Sequence, residues 1–222
     1  MDQARYFIAV LMLVSVPPAL GLWYVIHPLA RFWRQIGAGA AYLVLTPLAA
    51  ALGWWTYRSR DLLLGTDLGA QPLLIALAVA AAAAGIVIAR ARRRHLTQRI
   101  LMGLPEMSKT DRGRLLTEGI YARTRNPRYL EFLVFVFAYV AFANYSGTWV
   151  LYLLTFPATH LVVILEEREL RDRFGGEYEA YCRRVPRYLT AHAFRASTVK
   201  VAARPNAASA SESGTHPHTS AR

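Results

Sequence analysis

The chain has 222 residues, 55% of them apolar and 18% charged, where an ordinary soluble domain has roughly 45–50% and about 25%. That composition argues against a soluble globular protein, and the single cysteine, Cys182, excludes an intrachain disulfide framework and any multi-cysteine metal site. The formal net charge of +12 would point to nucleic acid in a soluble protein, but no recognition motif accompanies it, and of the 26 Lys and Arg residues 11 lie between positions 90 and 128 and 10 follow position 165.

Four stretches, 6–26, 36–57, 68–89 and 132–165, lack Asp, Glu, Lys and Arg altogether. A hydrocarbon core of about 30 Å takes around 20 apolar helical residues. The first three stretches, of 21, 22 and 22 residues, therefore each predict one crossing. The first follows Arg5 as the apolar part of a signal peptide would. It is longer than such a region and has no clear small-x-small cleavage site, so it reads as a retained helix bent by Pro17 and Pro18. The second ends in Trp54, Trp55 and Tyr57, an interfacial aromatic signature. The third carries Ala80 to Ala84 in one run, which favours close helix packing in lipid, and stops at Arg90, ahead of Arg92, Arg93 and Arg94. The fourth, at 34 residues, is too long for one crossing. Its turn-forming cluster Asn144-Tyr145-Ser146-Gly147 divides it into a tight helical hairpin.

The expected fold is thus all-α: a polytopic membrane protein with five transmembrane helices, the last two a hairpin, plus cytosolic C-terminal helical segments. Orientation follows from charge. A cytoplasmic C-terminus, as in a bacterial inner membrane, also puts Arg31, Arg34 and the 90–128 segment inside and leaves only Arg58 and Arg60 on the less favoured side. The Arg90–Arg94 run then enforces topology and touches anionic lipid. Beyond Leu165, Glu167 with Arg171 and Glu169 with Arg173 are opposite charges at i,i+4, and predict a helical extension ending near Gly175 and Gly176. A second short helix spans 177–184, before Pro186. From about Arg195 the sequence turns to Ala, Ser, Thr, Pro and His without apolar periodicity, which predicts a disordered tail that includes His216 and His218. There is no internal repeat.

Two polar segments bracket the hairpin, and antiparallel arms bring their ends together. The run Arg125-Asn126-Pro127-Arg128-Tyr129 should therefore meet Glu166-Glu167 at the cytoplasmic surface. Aromatic rings, guanidinium groups and carboxylates at the edge of lipid suit a ligand that is both cationic and anionic. His160, inside the last helix, is either an interhelical hydrogen-bonding group or a substrate contact. His27 sits at a helix end as an interfacial residue, and Cys182 has no recognisable partner.

The ordered series Gly119, Tyr121, Arg125-Asn126-Pro127-Arg128-Tyr129, Glu166-Glu167, Phe174-Gly175, Tyr178, Tyr181 and Val185-Pro186 resembles the integral-membrane methyltransferases. These include isoprenylcysteine carboxyl methyltransferase and the phospholipid N-methyltransferases. The resemblance covers about 115–188; the first three helices match only in being hydrophobic. It implies S-adenosylmethionine held between the two cytosolic segments by Tyr121, Asn126, Pro127, Arg128, Tyr129, Glu166 and Glu167, with Leu115 and Leu116 as backbone contacts. A lipophilic methyl acceptor, isoprenoid-linked or phospholipid-like, would enter from the bilayer; no metal and no nucleic acid are implied. On that reading 1–90 are three N-terminal transmembrane helices, 91–194 the cofactor-binding core and 195–222 the tail.

Three positions depart from the pattern. Asn126 replaces the histidine of the prenylcysteine enzymes and cannot titrate near neutrality. The stretch Leu161-Val162-Val163-Ile164-Leu165 lacks the arginine that engages a prenylcysteine carboxylate. Glu131 stands where many relatives have glycine, and is the candidate catalytic residue, as a base or as a holder of a cationic amine. Two other classes stay open: a nicotinamide-dependent reductase of the membrane sterol and enone type, and a non-enzymatic membrane protein that binds lipid or a partner.

Overall fold

The computed structural model describes residues 1–94, 107–108 and 113–189, and all regular structure among them is helical. In chain order come α1 (Asp2–Ile26), α2 (Ala30–Ile36), α3 (Ala38–Arg58), α4 (Arg60–Leu64), α5 (Pro72–Arg93), a 3₁₀ turn (Gly119–Ala122), α6 (Pro127–Ala143), α7 (Ser146–Phe174) and α8 (Gly176–Arg184). Four of these, α1, α3, α5 and α7, are long and apolar enough to cross a membrane. Their outward side chains agree with that. Leu43, Leu73, Val87 and Leu153 are each at least 64% exposed, a surface that hydrocarbon accepts and water does not. The predicted tail, 195–222, and much of the basic 90–128 segment lie outside the described residues.

Helices α1, α6 and α7 share the main core, in which Met12, Val16 and Leu20 pack with Tyr129, Val136, Val140, Val162 and Val163. Helix α5 lies along α6 and approaches closely because Gly85 has no side chain: a Cβ there would stand 2.9 Å from the Phe135 ring. On the far side of α1, Gly53 of α3 rests against the Val14 carbonyl, where a Cβ would stand 3.4 Å away. Pro18 lacks the N–H that would otherwise bond that carbonyl, so the bend predicted at Pro17 and Pro18 and the helix contact share one cause.

At one end of the bundle, Arg5, 1% exposed, donates from Nε to the Ala143 carbonyl at 3.1 Å and pairs with Asp67. The chain turns there at Asn144, whose left-handed backbone (φ 54°, ψ 53°) ends α6. Its side chain donates to the Gly69 carbonyl at 2.9 Å and accepts from Trp149 Nε1 at 3.0 Å. Asparagine tolerates this conformation better than most residues, as the sequence cluster predicted. At the opposite end, Arg31 pairs with Asp172 at 3.0 Å, Arg34 with Glu169 at 2.9 Å and Arg92 with Glu131 at 2.6 Å. Helix α7 runs unbroken past Leu165 into its charged extension and stops at Gly175 (φ 54°, ψ −128°), a conformation suited to glycine, before α8 begins.

Candidate functional site

The residues leading into α6 are strapped to the chain beyond α7. The Tyr121 carbonyl accepts from Tyr181 Oη at 2.7 Å, the Arg125 N–H donates to the Pro186 carbonyl at 3.0 Å, and Thr124 Oγ1 donates to the Arg187 carbonyl at 3.0 Å. Pro127 opens α6 at a position where its missing N–H removes no helical bond.

Neighbouring residues on a helix point about 100° apart, so the acidic pair divides. Glu166 accepts from Tyr129 Oη at 2.5 Å and from Arg128 Nη2 at 3.3 Å. The Arg128 guanidinium also lies 4.2 Å above the Trp23 ring of α1 and 4.9 Å from the Tyr129 ring. Glu167, 0% exposed, turns the other way. It accepts from Arg125 Nη2 at 2.9 Å, Arg187 Nη2 at 2.8 Å and Asn126 Nδ2 at 3.3 Å, which clamps two segments onto α7.

Glu166 faces a pocket with a free interior of about 80 Å³. Eight of the nine cofactor contacts expected from the sequence line it, namely Leu115, Leu116, Tyr121, Asn126, Pro127, Arg128, Tyr129 and Glu166; Glu167 does not. Its other lining residues are Arg114, Arg125, Leu170, Arg173, Tyr178 and Tyr181. Tyr178 and Tyr181 stood in the Phe-Gly-x-x-Tyr-x-x-Tyr run without an assigned role, and Leu170 follows Glu166 by one helical turn. Trp23 carried no sequence signal, because nothing local marks which face of α1 meets Arg128.

Four arginines against one carboxylate favour an anionic group, while the tyrosine faces accept a cation or an aromatic ring. Burial pushes the Tyr121 phenol up to about 12, and raises Tyr178 and Tyr181 further. All three stay protonated at neutral pH, as aromatic walls and hydrogen-bond donors. His27, 3% exposed and stacked 5.1 Å from Trp23, has no hydrogen-bond partner on either nitrogen. Burial pushes its imidazole down to about 4, with Arg128 and Arg173 acting in the same direction against Glu166. The interfacial role expected for His27 is thus replaced by a buried one.

A second, apolar cavity of about 290 Å³ shares Asn126 and Tyr129 with the first. Thr124, Leu130 and Leu133 line it from one side, Phe156, Thr159 and His160 from α7, and Tyr188 and Leu189 from the chain after α8. His160 Nδ1 lies 2.6 Å from Tyr188 Oη. The candidate catalytic Glu131 lines neither cavity; both of its oxygens accept from Arg92, at 2.6 and 2.9 Å. No cluster able to hold a metal occurs among the described residues. The chain matches no family model, no curated protein and no solved structure.

Proposed function

We propose that the chain is a membrane methyltransferase that binds S-adenosylmethionine in the charged pocket and methylates a lipophilic acceptor held in the adjoining apolar cavity. The observation that carries this reading is that the two cavities lie on either side of Asn126 and Tyr129, which line both. One compartment is charged and aromatic, the other apolar, and in this reading the methyl group passes between them beside these two residues. The bound cofactor supplies an electrophilic methyl group on a sulfonium. The chain's own residues fit the rest of it. Arginines offer counter-charge to its carboxylate, Glu166 can accept from its amino or ribose groups, and the tyrosines face its sulfonium and adenine. A nucleoside-sized occupant needs more room than about 80 Å³, so the pocket widens on binding. Holding donor and acceptor in line then supplies much of the rate acceleration.

In this reading α6 is a fifth crossing. Its 17 residues span about 25 Å, and they run from the end marked by Arg92 and Glu131 to the end marked by Arg5 and Asp67. The site end also carries Arg31, Arg34 and the α5 arginines, and this excess of positive charge supports a cytoplasmic side for it, with the C-terminus, in a bacterial inner membrane.

Calorimetric titration of the detergent-purified protein tests the assignment. Wild type is expected to bind S-adenosylmethionine, and Glu166→Gln and Tyr129→Phe to bind it at least tenfold more weakly. Binding of NADPH without S-adenosylmethionine would turn the reading to a reductase, and binding of neither to a non-enzymatic protein.

A further inference from the structure

We propose that the apolar cavity takes an uncharged amphiphile whose head is a weakly acidic X–H group, a phenol or a thiol, and that His160 removes the proton from that head. The inference rests on the methyl-transfer reading and narrows its acceptor. Among the described residues, the cavity lining contains no Asp, Glu, Lys or Arg. A carboxylate, phosphate or ammonium head would be buried there without a counter-charge, at a large desolvation cost. A neutral head has no such cost, and the hydroxyl, imidazole and phenol side chains of Thr124, Thr159, His160 and Tyr188 are neutral polar groups of the lining.

A neutral X–H attacks carbon poorly and must lose its proton as the bond forms. His160 is the side chain in the lining whose type ordinarily accepts a proton near neutrality. Tyr188 Oη, 2.6 Å away, orients it: with Nδ1–H donating to that oxygen, Nε2 keeps its lone pair for the substrate. The X–H proton passes to Nε2, the X–CH₃ bond forms, and the CH₃–S bond breaks with its electron pair returning to sulfur. The sulfonium becomes a neutral thioether, and its positive charge reappears on the imidazolium. The acidity of the head sets the class. Imidazole titrates near 6.5, a thiol near about 8.5 and a phenol near about 10. An aliphatic hydroxyl, as weak an acid as water, gives up its proton far less readily than either.

Detergent-purified full-length protein would be incubated with methyl-labelled S-adenosylmethionine and four probes of equal chain length: dodecylphenol, dodecanethiol, dodecanoic acid and dodecylamine. Label is expected on the phenol or the thiol, and which of the two is labelled identifies the head. His160→Gln should lower turnover by about 100-fold or more while S-adenosylmethionine affinity is retained. Its residual rate should rise with pH where wild type levels off; Tyr188 and Tyr129 are the other titratable groups lining the cavity, and Tyr188→Phe should lose less. Without cofactor, dodecylphenol or dodecanethiol should raise the thermal midpoint of wild type more than dodecanoic acid does. Label only on the acid or the amine, or an unchanged rate and pH profile in His160→Gln, would overturn the inference. If wild type binds S-adenosylmethionine and labels neither the phenol nor the thiol, the inference fails and the cofactor reading stands. If S-adenosylmethionine does not bind, both fail.

Discussion

Glu166 and Glu167 are adjacent in sequence and do different things. The sequence marked both as cofactor contacts because a pair of carboxylates at the edge of lipid is conspicuous, but residue type does not say which face of a helix each one takes. The partners decide it. Glu167 has Arg125, Arg187 and Asn126 around it, while Glu166 accepts from Tyr129 and Arg128 beside the pocket. His27 is a similar case, legible as a polar residue at a helix end but not as a neutral imidazole buried against Trp23. Its sign with pH can be worked out. The imidazole titrates near about 6.5 in an unfolded chain and is held at about 4 in the fold. The unfolded chain therefore takes up the proton first, and stability present above pH 6.5 is lost as the pH falls toward 4. The loss reaches roughly 3 kcal/mol at the foot of that window. Thermal melts of the detergent-solubilised protein between pH 7.5 and 4.5 should show a falling midpoint in wild type. The slope should be shallower in His27→Leu; equal slopes would mean that other groups carry the dependence.

Among the elements, the helices with strong local signals were the legible ones. The charge-free runs at 6–26, 36–57 and 68–89 became α1, α3 and α5, and the Asn-Tyr-Ser-Gly cluster became the turn before α7. How those helices pair was not legible, since an apolar face in lipid does not name its neighbour. Glu131 shows the consequence. Read alone it resembled a catalytic carboxylate, whereas the packing of α5 on α6 puts it against Arg92, with the two side chains 13% and 4% exposed. Breaking such a buried pair leaves a charge without compensation, at a cost of about 3–5 kcal/mol. Glu131→Leu should therefore lower the thermal midpoint by several degrees, and Arg92→Met should do much the same. The double variant should regain most of the loss, because two apolar side chains leave no charge behind. Additive losses in this cycle would mean that the pair is not coupled, and a fall in turnover without a fall in midpoint would support the catalytic role.

For the molecule as a whole, the ion pairs sort the connections into two ends without reference to any membrane. Arg5, Asp67 and Asn144 meet at one, and Arg31, Arg92, Glu131 and Asp172 at the other. Helix α6 runs from one end to the other beside α5, and in the proposed topology it is a fifth crossing. At about 25 Å it is shorter than the hydrocarbon core, which local thinning of the bilayer accommodates. In that proposal, the excess of basic residues at the second end favours the cytoplasmic side for it. The protein's one natural cysteine makes the assignment measurable. In a Cys182→Ser background, single cysteines at Ser59 or Asp61 should react with a membrane-impermeant maleimide added to intact cells, because α3 and α4 meet at the first end. Cysteines at Arg31 or Asp172 should react only after the membrane is opened. If 59 and 172 label from the same side, the chain from α4 to α7 crosses an even number of times. Helix α6 would then lie within one leaflet instead of spanning, and the positive-inside assignment of the site would fall with it.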